Sequence, residues 1–254
     1  MKKMTYTIAA LVFVATLVAN TPAAILPWIV NTAGVRLALL QVDGSLWQGS
    51  MSAAQITYGK RDWFVDTLAW RLQPLSLFSG GVCLDILDGR AQGVSLRGEI
   101  CLDSRGAASG EDLVVTSRVG NALALAKFPL PVDGGATLSI QRFDWSPDSG
   151  IQALQGTVNI SDYAYQVAGQ REVLGDYRMN ISAPNAQQVA LTFVPTQAKI
   201  ALQGDVSVDL AGTYEAALQF IPSANASAAL VDSLRFVAVP QDDGSYRFKY
   251  SGRF

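Results

Sequence analysis

Hydrophobic and polar residues alternate with a period of two through almost all of the chain after Arg36. Leu68, Trp70 and Leu72 share one face of a predicted strand, with Thr67, Ala69 and Arg71 on the other. Val206, Val208 and Leu210 alternate in the same way with Ser207, Asp209 and Ala211, and Tyr246, Phe248 and Tyr250 with Arg247, Lys249 and Ser251. Successive side chains of a strand point to opposite faces, so the pattern predicts half-buried strands. Turn signals punctuate them at Asp43-Gly44, Asp88-Gly89, Asp133-Gly134-Gly135 and Asp243-Gly244. The last of these predicts a hairpin of 234–239 with 245–250, Pro240 ending its first strand. Helical signals are few. Residues 74–78, with Pro74 at the start and Gly80-Gly81 at the end, predict one short turn, and 223–232 a short alanine-rich helix with Ser or Asn as cap. The expected fold is mainly β: an extended, mostly antiparallel, curved sheet with few short helices.

The first thirty-five residues break this pattern. No charged residue stands between Lys3 and Arg36, and residues 4–19 are almost wholly apolar. Asn20-Thr21-Pro22 interrupts the run, which resumes over 23–30. One reading is a cleaved signal peptide, with a basic start and small residues near Thr21 and Ala23 for a peptidase. The other is an uncleaved anchor. The apolar run exceeds the usual signal-peptide core, and Pro22 sits badly beside a cleavage point, so the anchor is preferred. Residues 1–30 are then a cytoplasmic stub and a single transmembrane helix, and 31–254 an exported β domain with room for two halves meeting near 130–150. The positive-inside bias keeps Lys2 and Lys3 in the cytoplasm. Trp28 fits an aromatic anchor at the outer interface; equally, it fits the folded body.

Composition narrows the chemistry. Of 254 residues, 50% are hydrophobic and 16% charged, with 19 basic against 21 acidic and no histidine. Imidazole as base, ligand or switch is excluded, and with it Ser-His-Asp and Cys-His catalysis and His-ligated zinc. The near balance of charge, with the Lys60-Arg61 doublet too small for a nucleic-acid footprint, argues against a nucleic-acid partner. The chain contains no phosphate-loop, dinucleotide or nucleophile-elbow motif. Asp85 and Asp88 read as strand-end and turn residues, and Asp242-Asp243-Gly244 lacks the remaining ligands of a calcium loop. The expectation is a protein that is not an enzyme and has neither cofactor nor metal.

Cys83 and Cys101 are the only thiols. They stand equally far on either side of Gln92, so a hairpin turning there sets them opposite one another, close enough to bond. An oxidising compartment would keep that bridge. The competing reading is two separate buried thiols acting as small apolar residues. Ala153-Leu154-Gln155-Gly156 recurs as Ala201-Leu202-Gln203-Gly204, each followed by an alternating strand, which reads either as a weak internal repeat or as coincidence.

Two segments carry a family resemblance. Gly44-Ser45-Leu46-Trp47-Gln48-Gly49 is followed by Leu68-Ala69-Trp70-Arg71-Leu72-Gln73-Pro74. Together they resemble the type II secretion system protein N family, in which a Gly-x-Leu-Trp-x-Gly element precedes a Leu-x-Trp-x-Leu-x-Pro element. The motif residues here are Gly44, Leu46, Trp47, Gly49, Leu68, Trp70, Leu72 and Pro74; the closing segment 244–254 resembles the family's short β ending. The cysteine pair is not part of the motif. The resemblance implies a non-catalytic, single-pass protein of the bacterial inner membrane with its bulk in the periplasm. It would touch inner-membrane lipid and other type II secretion components, in a machine that moves folded proteins across the outer membrane. The alternative is an envelope protein that binds or shuttles a lipid ligand in an apolar sheet groove. Read without the family, Gly44 serves a turn, and Trp47 and Trp70 supply apolar surface to the fold.

Overall fold

The computed structural model describes residues 6, 13, 16–17, 19–28, 36–58, 61–125, 131–167 and 170–253. It divides into two compact units, Met1–Cys101 and Leu102–Phe254.

The first unit holds strands β1 (Arg36–Gly44), β2 (Gln48–Tyr58), β3 (Arg61–Gln73), β4 (Gly81–Ala91) and β5 (Val94–Asp103), neighbours in chain order. Its core is Ala23, Met51, Ala54 and Trp70, with Leu26, Val42, Val65, Leu68 and Leu84 packed around them. The alternation predicted around Trp70 is observed: Trp70 is buried, Leu68 and Leu72 half-buried, Thr67 and Arg71 exposed. Asp88-Gly89 does not turn the chain. It lies inside β4, where Ala69 pairs with Asp88 and Trp70 with Ile86, leaving Leu87 as the extra residue of a bulge. The turn is instead at Gln92-Gly93, both with positive φ.

The second unit holds β6 (Ala108–Arg118), helix α1 (Val119–Leu125), β7 (Val132–Ser146), β8 (Gly150–Val167), β9 (Gln170–Asn185), β10 (Gln188–Val194), β11 (Ile200–Asp209), β12 (Thr213–Pro222), helix α2 (Ala228–Leu234), β13 (Val239–Pro240) and β14 (Tyr246–Arg253). All pair antiparallel, in the order β6 to β12, then β14, then β13. Asp133-Gly134-Gly135 opens β7 at a register shift, not a turn. The two Ala-Leu-Gln-Gly segments fall in β8 and β11, which are not neighbours.

The terminal hairpin is a correction. Leu234 belongs to α2, and only Val239 and Pro240 pair with β14, at Arg247 and Tyr246. The long partner of β14 is β12, from Thr213↔Arg253 to Phe220↔Tyr246. Helix formation wins because Ser227 caps it, its Oγ accepting the Leu230 N–H at 3.3 Å, and because Leu230 and Leu234, one turn apart, enter the core with Ile200, Ala238 and Tyr246. Leu210, expected on a strand face, lies past the end of β11 and is exposed.

The expected transmembrane helix lies largely outside the described residues. Those described within it, Tyr6, Phe13, Thr16, Leu17 and Ala19, are helical and exposed. Among the described residues no helix is long and apolar enough to cross a membrane.

Candidate functional site

The two sequence motifs meet in the first unit. β2 and β3 run antiparallel with Gly49 opposite Trp70 and Met51 opposite Leu68. Trp70 is 4% exposed, and its indole Nε1 donates to the Leu46 carbonyl at 3.0 Å, so its one polar atom is satisfied where the ring is dry. A Cβ on Gly49 would stand 2.7 Å from the Trp70 ring and 2.6 Å from the Asp43 carbonyl oxygen, closer than any side chain tolerates. Gly44 turns the β1–β2 connection with φ +92°, a conformation that favours glycine. The Leu72 N–H donates to the Trp47 carbonyl at 2.7 Å, so the second motif is stitched to the first. Pro74 then opens a 3-10 turn, Pro74–Ser79, where its missing N–H costs nothing.

This motif pair forms a socket for the N-terminal segment. The Leu46 N–H donates to the Thr21 carbonyl at 2.8 Å, and Pro22 bridges to Ser45. Ala23, 1% exposed, sits against Met51, Ala54 and Trp70. Immediately before it the apolar run ends in a capped turn: Asn20 N–H and Nδ2 both donate to the Thr16 carbonyl, at 3.1 and 2.7 Å, and Thr21 Oγ1 donates to the Leu17 carbonyl at 3.1 Å. Sequence reasoning placed Gly44, Leu46, Trp47, Gly49, Leu68, Trp70, Leu72 and Pro74 but missed Ala23. Its small size, legible as a feature of a peptidase site, serves packing here.

Cys83 and Cys101 are joined by a disulfide. The Glu99 carboxylate lies 3.3 Å from Cys101 Sγ, but a disulfide sulfur has no proton to donate, and both sulfurs are withdrawn from metal binding. The bridge flanks the 3-10 turn: Ser76 Oγ donates to the Gln73 carbonyl at 2.7 Å and accepts the Cys83 N–H at 3.0 Å. On that turn Leu75 is 80% and Phe78 89% exposed.

The carboxylates singled out in the sequence have structural partners. Asp85 accepts from Gln73 Nε2 at 2.9 Å, and Asp88 pairs with Arg90 on the surface. Asp243 accepts the N–H and hydroxyl of Ser245, at 2.9 and 2.6 Å, which lowers its pKa and fixes the turn before β14.

In the second unit α1 and α2 lie over a cavity of about 520 Å³, walled mainly by apolar groups such as Leu123, Ile160, Met179, Phe193 and Leu202. Tyr177 reaches into this wall. Its hydroxyl donates to the Ile200 carbonyl at 2.9 Å, and burial, aided by Tyr163, pushes its pKa up to about 12.

Comparison with known proteins adds an independent line. A family described as type II secretion system (T2SS), protein N matches residues 35–249. The chain is 22% identical over 224 residues to a type II secretion system protein N of Vibrio cholerae serotype O1, covering 85% of each chain. No solved structure matches. The family match includes every motif residue of the socket.

Proposed function

The chain belongs to the type II secretion system protein N family, and from that premise we propose that it is a non-catalytic component of that export machine. In this reading it is held in the inner membrane by its N-terminal helix, spans once, and acts in the periplasm by contact with other secretion components. The observation that carries the reading is the socket around Ala23. A mere leader would need no fitted seat, whereas here the break that follows the first apolar stretch is seated, Thr21 hydrogen-bonded to Leu46 and Ala23 packed on Trp70. The exposure of Phe13 and Leu17, one helical turn apart, supports a helix that finds its apolar surroundings outside this chain. A fixed seat also makes the first unit a rigid extension of the anchor rather than cargo on a loose tether.

The test replaces residues 1–19 with a cleavable export signal, releasing the remainder into the periplasm. Secretion of a folded substrate should be lost while the released protein accumulates. Undiminished secretion would overturn the anchored role.

A second reading rests on the cavity under α1 and α2, whose size and apolar wall suit an aliphatic chain. It makes the protein an envelope lipid binder, alone or within the same machine. Native mass spectrometry of protein purified from membranes decides it: stoichiometric bound lipid supports the reading, and lipid-free protein removes it.

A further inference from the structure

The turn Pro74–Ser79 presents Leu75 and Phe78 almost wholly to solvent, with Leu77 and Val82 also exposed, and no charged residue falls between Arg71 and Asp85. Apolar side chains on a mobile loop would fold back onto the sheet; these are held out. Ser76 bonds both the Gln73 carbonyl and the Cys83 N–H, Gly80 closes the turn through the Leu77 carbonyl, and Cys83 is anchored by its disulfide. A rigid, uncharged apolar knuckle of this kind is a docking element.

Its position in the first unit says on what. The Leu72 N–H reaches the Trp47 carbonyl, and the neighbouring Leu46 N–H reaches the Thr21 carbonyl. Two strand spacings, roughly 10 Å, therefore separate the end of β3 from the point where the apolar N-terminal run leaves the socket. The knuckle starts two residues beyond Leu72. Exposed Arg71 stands at its base, opposite the half-buried Asp85 on β4, and the exposed indole of Trp28 belongs to the residue type enriched at membrane interfaces.

We infer that the knuckle rests in the interfacial region of the same bilayer that holds the anchor, with Leu75 and Phe78 inserted beside the emerging helix. The inference rests on the anchored reading above and extends it. The unit then has two attachments to the lipid surface, the helix and the knuckle, which fix its orientation where a single helix would leave it free to swivel.

The experiment uses the full chain carrying Leu75→Cys or Phe78→Cys, labelled with a polarity-sensitive fluorophore and reconstituted in phosphatidylcholine–phosphatidylglycerol vesicles. The native cysteines are bonded to each other and stay unlabelled. Arg90→Cys, toward the far end of β4, is the reference. Nitroxide dissolved in the bilayer should quench the labels at 75 and 78 several-fold more than the label at 90, and aqueous iodide should show the reverse order. Iodide reaching all three labels alike overturns the inference, and so does shielding of 75 and 78 from both quenchers, which would mean that protein covers the knuckle. Alkaline carbonate washing of the same vesicles reports the anchor separately. A chain that resists the wash but leaves its knuckle in water overturns this inference alone; a chain that washes off overturns the anchored reading and this one with it.

Discussion

Trp70 and Gly49 face each other across β2 and β3, and the ring occupies the space that a side chain at 49 would need. Each residue is thus the reason for the other: the edge of the indole can lie against the strand only because its partner has no Cβ. Gly49→Ala should cost about 1–3 kcal/mol by overpacking. Trp70→Phe should cost about 1–2 kcal/mol beyond lost ring area, because the Leu46 carbonyl loses its donor. The double variant should be less destabilised than the sum, since the smaller ring makes room for the methyl. Urea unfolding of the four proteins measures this cycle, and strict additivity would mean that the two residues do not share the site.

The seat of Ala23 makes a second prediction. Ala23→Leu overfills a position that is 1% exposed, whereas Ala24→Leu falls on an exposed neighbour. The first should loosen the N-terminal segment by about 1–3 kcal/mol. The Leu46 amide, bonded to the Thr21 carbonyl, is the reporter. Its hydrogen exchange should accelerate roughly tenfold or more in Ala23→Leu and stay unchanged in Ala24→Leu, at about 1.4 kcal/mol per tenfold.

How far these features could be read in advance depended on whether their cause was local. Alternation in β3 was visible because Trp70 faces a core while Thr67 and Arg71 face water, a contrast written into consecutive residues. Asp133-Gly134 misled because a bulge and a turn both use a glycine with positive φ, and only pairing tells them apart; Asp88-Gly89 misled because Gly89 is there for close packing, a Cβ on it standing 3.2 Å from Ile86 and from the Leu96 carbonyl. Helix α1 left no signal because seven residues are too few to establish a period. The short helix expected over 223–232 is α2, capped by Ser227 as its Ser and Asn residues suggested, but it runs on to Leu234, so the hairpin strand expected from 234 begins only at Val239. Of the candidate site, the motif glycines and tryptophans could be picked out as a pattern. Ala23 could not, because its burial comes from strands far along the chain.

The disulfide closes a loop with a sequence separation of 18. A loop of that size restricts the unfolded chain by roughly 3 kcal/mol in the chain-entropy account. Cys83→Ser with Cys101→Ser should therefore lower stability by about 2–4 kcal/mol, with a matching fall in Tm on adding reductant to the native protein. Because the Cys83 N–H is bonded to Ser76, protease cleavage within 74–80 should also become faster in the double variant. Equal Tm with and without reductant would show that the bridge contributes nothing to the fold.

The Tyr163–Tyr177 pair predicts how the second unit responds to alkali. The rings meet edge to face, 5.7 Å between centroids, and Tyr177 is 6% exposed. Burial first, and the neighbouring Tyr163 second, raise the Tyr177 pKa from 10.0 to about 12. The folded protein therefore keeps a proton that the unfolded chain releases near pH 10. Stability from this group is complete below pH 10 and is lost as the pH climbs toward 12, on the order of 2–3 kcal/mol in all. Tyr177→Phe removes the titration and also the hydrogen bond to the Ile200 carbonyl, which should cost about 1 kcal/mol at pH 7. The variant should thus be the less stable protein at neutral pH, and its deficit should shrink and then reverse between pH 10 and 12. Urea midpoints measured at pH 7, 9, 10.5 and 11.5 test the sign directly: a deficit that stays constant through the series would mean that the hydroxyl at 177 ionises as freely in the folded unit as in water.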